Sequence, residues 1–186
     1  HECGRILRMF GAPEEKRLIP AKPKDPRAML QEIEGDLNRI SKLIPMQELV
    51  RVAGMWTDGL VRQLTNYPPD IMIEKWLYDS YPDLRPYQLQ SLERQNQQAL
   101  KGISKKVQTI TPTKIYNSAN IMNYVFFNLI GSHIKADLAR PYRNTPFSKK
   151  GKQLMQLTEK DYVNSYEGDR SMIDRWAEFL GLSKWY

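Results

Sequence analysis

The stretch that most constrains the fold of this chain covers residues 117–138. Its middle, residues 121–130, is interrupted by only three polar side chains, those of Asn123, Tyr124 and Asn128. If this stretch is helical, apolar side chains point in every direction around the helix, and such a helix belongs in a core. The stretch is too short and too interrupted to cross a bilayer, which takes about 20 apolar residues. We therefore predict a buried central helix near residues 118–138.

Helical periodicity also dominates the rest of the chain. One amphipathic pattern runs from Pro26 to Pro45, and a second covers residues 47–64. Pro68 and Pro69 are expected to end that second helix and to begin another, because proline lacks the N–H that a helix interior needs. A polar helix is predicted between Pro86 and Gly102.

One region, at the start of the second half of the chain, is harder to assign. Residues 103–112 combine a helical period with frequent β-branched residues, so a helix and a short strand both stay open. Two short helices are predicted to begin at capping boxes, the first at Thr158 and the second at Ser171, each followed by an aspartate three residues later. This makes about seven helices without a convincing pair of strands. The predicted class is all-α, a single helical domain around the buried central helix.

Four prolines punctuate residues 1–26, with lysines and arginines between them. Because proline fixes its own φ and restricts the residue before it, we predict an extended N-terminal arm over residues 1–26. The helical domain then covers residues 27–186. Apolar side chains of the arm are available to dock on this molecule or on a neighbour.

Positive charge is concentrated in residues 94–158, the basic segment. It holds 11 lysines and arginines against one acid, Asp137, so its net charge is +10, whereas the whole chain carries +7. Helices of one domain return on themselves, and we expect these cations to converge on one face. Lysine and arginine suffice for contacts to phosphate, which provide most sequence-independent affinity for nucleic acid. A plain solvated surface and a docking face for an acidic protein are the alternatives.

We predict a nucleic-acid-binding surface made of nine residues of this segment. Eight of them supply cations: Lys105, Lys106, Lys114, Arg140, Arg143, Lys149, Lys150 and Lys152. The ninth, Tyr142, lies between two arginines in a predicted loop over residues 139–152, where it is expected to stack on unpaired bases. The pattern does not distinguish DNA from RNA.

The chain offers little for catalysis. Its histidines are His1 and His133, and Cys3 is its one cysteine, so no pair of ligands has the spacing of a zinc site. Neither a phosphate-binding P-loop nor a nucleophile elbow is present. We predict a non-enzymatic accessory protein without metal or cofactor and without a membrane partner, although a site assembled from scattered carboxylates and His133 stays open. A lone cysteine cannot form an internal disulfide, which favours an intracellular location, cytoplasmic, nucleoid or nuclear.

The alternative function is a helical protein–protein interaction or assembly module. Phe10 in the arm, and Trp185 and Tyr186 at the other end of the sequence, place aromatic side chains where they can dock on partners. A basic surface together with docking ends is what a small viral or phage structural or replication-accessory protein would combine. Under this alternative, removing either end changes the oligomeric state or loses a partner, while the basic segment tolerates substitution.

Overall fold

The computed structural model describes residues 1–17 and 26–186, and eight α-helices and no strand lie within those ranges. The helices are α1 (Glu2–Phe10), α2 (Pro26–Ile40), α3 (Met46–Ser80), α4 (Arg85–Lys101), α5 (Lys105–Ile110), α6 (Thr113–Ile134), α7 (Phe147–Asp161) and α8 (Tyr166–Leu180). Short 3₁₀ turns cover Glu14–Lys16, Pro82–Leu84 and Arg140–Tyr142. The helices pack into one compact domain, which confirms the all-α class. In the described ranges no helix is both long enough and apolar enough to span a membrane.

Helix α6 is buried along most of its length, and residues 121–127 are buried without interruption. It packs against α3 and α7, and more lightly against α2 and α4. Its polar side chains find partners inside the core: the Asn123 Oδ1 accepts from Gln63 Nε2 and from the Tyr67 hydroxyl, both at 2.8 Å. The helix ends before the predicted residue 138, because Lys135 takes a left-handed conformation with φ of +58°.

Helix α3 runs through Pro68 and Pro69 without a break, so the predicted helix boundary at these prolines is wrong. Each proline removes a backbone donor, and the cost in a helix interior is about 3 kcal/mol. Burial around the prolines offsets this cost, since Leu64, Ile71 and Ile73 are at most 2% exposed. Helices α1, α6 and α8 all pack on α3 and supply the covering surface.

Helix α1 occupies the start of the predicted extended arm, so that part of the prediction is wrong. All the prolines of the N-terminal segment follow this helix, and the proline argument does not reach it. Arg5 holds the helix against α3, with Nε and Nη2 at 2.9 and 2.6 Å from the carboxylate oxygens of Asp70. Gly4 permits a close approach, because a Cβ there would lie 2.8 Å from Cγ2 of Ile73. The arm prediction for residues 18–25 lies outside the described residues.

The ambiguous segment 103–112 is mainly helical, because α5 runs from Lys105 to Ile110 within it. The next helix, α6, begins after Pro112 and is capped from another part of the chain. The carboxylate of Asp36, on α2, accepts a hydrogen bond from the N–H of Thr113 at 2.7 Å. This contact ties α2 to the start of α6.

Helix α7 begins at Phe147, so the second half of the predicted loop over residues 139–152 is helical instead. Both predicted capping boxes are wrong, because Thr158 and Ser171 lie inside α7 and α8. Helix α8 is capped by Ser165, whose hydroxyl accepts a backbone N–H three residues on at 3.0 Å. The sequence pattern of a capping box therefore also occurs inside these two helices.

Candidate nucleic-acid interface

Tyr116, in the first turn of α6, joins two parts of the basic segment. Its hydroxyl donates to the carbonyl of Ile103 at 2.9 Å. Its ring meets the ring of Phe147 edge-on, with centroids 5.5 Å apart. Exposed lysines flank both contacts: Lys101, Lys105 and Lys106 beside the first, and Lys149, Lys150 and Lys152 beside the second. The fold therefore brings the chain segments that carry the lysines of α4, α5 and α7 to the same end of α6.

Helix α7 turns its lysines away from the core. Its buried side is a stripe at helical spacing, formed by Phe147, Gly151, Leu154 and Thr158. At Gly151 the backbone lies directly on the ring of Tyr124, because a Cβ there would overlap the aromatic carbons. The lysines lie off this stripe and are exposed. Two of them, Lys149 and Lys150, lie in the first turn of α7, where the helix dipole also favours anions.

Six of the predicted cations are exposed and form no ion pair within the described part of the chain. They are Lys105, Lys106, Arg140, Lys149, Lys150 and Lys152. Asp137, the single acid of the basic segment, is taken by Arg143, with Oδ1 2.5 Å from Nη2. Uncompensated cations on one surface create a positive potential that attracts polyanions.

Arg143 lies at the opposite end of α6 from Tyr116, beside a shallow cleft of about 360 Å³. Lys135 and Ser132 also line this cleft. The C-terminal end of a helix carries partial negative charge, which partly offsets nearby cations. The α5–α7 end of the surface is therefore the better place for phosphate.

Tyr142 is buried completely, so the prediction that it stacks on bases is wrong. Its ring lies against Phe127, with centroids 6.2 Å apart and planes 21° from parallel. Burial raises the pKa of the Tyr142 hydroxyl, which therefore stays neutral. The other aromatic residues of the basic segment are buried as well: Tyr116, Tyr124, Phe126, Phe127 and Phe147. No tyrosine or phenylalanine ring of this segment is available to a base.

Lys114, although predicted as a phosphate contact, is already engaged. Its ammonium pairs with Glu32 of α2 and lies 5.4 Å from the ring centroid of Trp185. Trp185 is completely buried and donates its indole N–H to Glu32 at 3.1 Å. The prediction that Trp185 docks on a partner is wrong, because its ring is packed in the core of the molecule.

The other two residues predicted to bind partners differ from each other. Phe10 is 58% exposed, and the guanidinium of Arg17 lies 4.6 Å from its ring centroid. Tyr186 is half-buried, and its hydroxyl donates to the carboxylate of Asp174. Of the three aromatic residues, Phe10 has the most accessible ring.

Each histidine contacts a carboxylate of α3. Nε2 of His133 lies 2.9 Å from Oδ1 of Asp79, and His1 is hydrogen-bonded to Glu74. The bond to Glu74 raises the pKa of His1. Across the described ranges, no three or more side chains of His, Cys, Asp or Glu are arranged to hold a metal ion. Both imidazoles therefore link helices, α1 to α3 and α6 to α3.

One surface feature was missed by the sequence reasoning, an apolar groove of about 820 Å³ between α2 and the first half of α3. Leu30 lines this groove and is 46% exposed. The sequence signal for this groove is the pair of apolar residues Met46 and Val50, one turn apart in α3, which are 63% and 69% exposed. Comparison of the chain with protein-family models, with curated proteins and with solved structures found no match.

Proposed function

We propose that this protein binds nucleic acid through its phosphates and does not act on it chemically. The observation that supports this proposal is that Tyr116 contacts two chain segments that both carry exposed lysines without an ion pair. We call five of these residues the basic surface: Lys105, Lys106, Lys149, Lys150 and Lys152. Arg140 lies outside it, because it is in the same turn as Arg143, toward the other end of α6. Phosphate contacts by lysine and arginine need no shaped pocket, and a row of exposed cations is sufficient.

Because the aromatic rings are buried, we expect contacts to the sugar–phosphate backbone of the nucleic acid and not to its bases. Stacking on single strands requires an exposed aromatic ring, and every tyrosine and phenylalanine ring of the basic segment is buried. Reading bases in a duplex requires a helix or strand that presents hydrogen-bonding side chains to a groove. We therefore expect affinity that depends little on sequence and is similar for duplexes and single strands.

The test is fluorescence anisotropy with labelled single-stranded and duplex oligonucleotides, repeated over a series of salt concentrations. Neutralising phosphates releases counterions, so log K falls linearly with log salt, with a slope of about −0.9 for each duplex phosphate contacted. Five cations in contact would give a duplex slope of about −4.5. A triple variant with Lys105→Glu, Lys149→Glu and Lys150→Glu is expected to lose most of this affinity.

The matched control carries the same change in net charge outside the basic segment. It combines Arg51→Glu, Arg62→Glu and Lys184→Glu, all at exposed positions. Equal losses in the two triple variants would mean that net charge alone governs binding, and the assignment to the basic surface would fail. Absence of binding at low salt would end the nucleic-acid proposal. Equal affinity for polyglutamate would instead identify a docking face for an acidic protein.

Assembly with a protein partner is a second candidate function, and the exposed ring of Phe10 favours it. Trp185 is buried and gives this candidate no support. The basic surface and Phe10 lie on different helices, so one protein can carry both functions.

A further inference from the structure

One side of α4 is polar and exposed. Six residues form this side, and we call them the α4 face: Tyr87, Gln90, Arg94, Gln97, Gln98 and Lys101. They recur at about one helical turn, and the buried side chains of Leu92 and Asn96 lie on the opposite side of the helix. The acidic residue of α4 is Glu93, which is about 100° around the helix from Arg94 and therefore lies at the edge of the face. Asp83 precedes the helix, so the face itself carries no negative charge.

Two contacts fix α4 alongside α6. The side-chain amide of Asn96 donates to the carbonyl of Leu138 at 2.7 Å, just after the end of α6. The carbonyl of Ile103, just after the end of α4, accepts from the hydroxyl of Tyr116 at the start of α6. Helix α4 therefore runs toward the end of α6 beside which the basic surface lies. The α4 face ends at Lys101, and the basic surface begins at Lys105, in the next helix.

The side chains of the α4 face suit phosphate. Arg94 and Lys101 are exposed, and neither forms an ion pair within the described ranges. In the same ranges the side-chain amides of the three exposed glutamines form no hydrogen bond: Gln90, Gln97 and Gln98. Arginine, lysine, glutamine and tyrosine side chains all donate to phosphate oxygens, and such contacts position a nucleic acid without reading its sequence. Two cations and a row of free donors on an acid-free face are complementary to a polyanion.

We propose that the α4 face extends the phosphate-binding site, so that one nucleic-acid molecule lies along α4 and across the basic surface. This inference rests on the proposed function and adds the shape of the ligand. The distance from Tyr87 to Lys101 is about 21 Å at 1.5 Å per residue. Phosphates of one strand follow each other at about 3.4 Å along the helix axis, so the α4 face alone spans about six of them. The ligand that fits is an extended polyanion many phosphates long.

The first test is the salt dependence of duplex binding, measured by fluorescence anisotropy with a labelled duplex of about 20 base pairs, about 68 Å long. The double variant Arg94→Gln with Lys101→Gln removes both cations of the α4 face, and glutamine is nearly as good a helix former as arginine and lysine. The slope of log K against log salt is expected to become shallower by about 1.8, which corresponds to two phosphate contacts. The matched control is Arg62→Gln with Lys184→Gln, at exposed positions outside both surfaces, and its slope should not change.

The second test removes hydrogen-bond donors and leaves the charge unchanged. In Gln90→Ala with Gln97→Ala, the affinity for the same duplex is expected to fall by about fivefold or more, while the salt slope stays the same. Alanine is favoured in a helix, so this variant should stay folded, and circular dichroism checks it. The matched control is Gln31→Ala with Gln47→Ala, at exposed positions of α2 and α3, and its affinity should not change.

The outcomes separate this inference from the proposed function. If the unsubstituted protein binds the duplex and both α4 variants behave like their controls, the α4 face is not part of the site and only this inference fails. If the charge variant loses affinity while the glutamine variant does not, α4 acts through its field and not through contact, which also overturns the inference. If the unsubstituted protein binds no oligonucleotide at low salt, the proposed function fails and this inference fails with it.

Discussion

Arg8 and Asp169 form a two-pronged ion pair across a separation of 161 positions, with both nitrogen–oxygen distances at 2.6 Å. Asp169 is 3% exposed, and the Tyr162 hydroxyl donates to the same carboxylate at 2.5 Å. Two-pronged contacts between arginine and a carboxylate are directional as well as strong. The pair therefore fixes the position of α1 against α8 and keeps the apolar side of α1 facing outward.

Replacing Arg8 with alanine is expected to lower the free energy of unfolding by about 3 kcal/mol, because it leaves the buried carboxylate of Asp169 without its cation. Urea unfolding followed by circular dichroism measures this loss. The control is Arg51→Ala, whose side chain and that of its partner Glu48 are 65% and 55% exposed. That pair should contribute at most about 0.5 kcal/mol. If both variants lose the same free energy of unfolding, the buried pair of Arg8 and Asp169 stabilises the fold no more than an exposed ion pair does.

The bond between His1 and Glu74 predicts a pH dependence of stability. It raises the pKa of His1 above the ordinary value of 6.5. A pKa raised by folding means that the protonated form stabilises the fold, so this contribution is complete below about pH 6.5 and is lost as the pH rises through the folded pKa. The free energy of unfolding should therefore fall above neutral pH. His1→Gln should show a smaller fall over the same range, and an unchanged slope would contradict the assignment.

Apolar spacing was enough to predict the all-α class, because helical periodicity is a local property of the chain. The ends of the helices could not be predicted in this way, because they depend on contacts with distant parts of the chain. Pro68 and Pro69 would end an isolated helix, but packing from three other helices holds α3 together through both. Similarly, Thr158 fits a capping pattern and yet lies within α7. In each case a tertiary contact outweighs a local preference of a few kcal/mol.

The candidate site divides in the same way. Lysines such as Lys105 and Lys149 are exposed as expected, since an ammonium without a partner stays in water. Residues that carry both a polar and an apolar part were mispredicted. Tyr142 turns its ring into the core, and Lys114 pairs with Glu32. Their environments depend on residues distant in sequence, which a pattern along the chain does not contain.

The carboxylate of Asp36, on α2, caps the start of α6, and we expect the loss of this cap to lower the free energy of unfolding by a measurable amount. Its carboxylate accepts from the N–H and the hydroxyl of Thr113, at 2.7 and 3.2 Å, at the start of α6. Asp36→Ala is expected to cost about 1 kcal/mol, the usual loss when a cap is removed. Glu178→Ala, at an exposed position of α8, should have little effect. A loss no larger than that of Glu178→Ala would show that water satisfies the N–H as well as Asp36 does.

Gly151 connects the packing of α7 to the proposed basic surface. A Cβ at this position would overlap the ring of Tyr124, so Gly151→Ala must displace α7 from α6. Overpacking of this kind costs about 1 to 3 kcal/mol. The lysines on either side of Gly151 would move with the helix, and we expect weaker oligonucleotide binding in the anisotropy assay at a temperature where the variant is still folded.

The control for Gly151→Ala is the same substitution at Gly59 in α3, where an added Cβ meets no atom within 4 Å. Alanine is favoured over glycine in an exposed helix by about 1 kcal/mol, so Gly59→Ala should stabilise the protein. If the free energy of unfolding falls in Gly151→Ala and rises in Gly59→Ala, the loss at Gly151 comes from packing and not from helix propensity. If both substitutions stabilise the fold, the contact between Gly151 and Tyr124 does not hold α7 in place. The lysines of α7 would then not depend on α6 for their position.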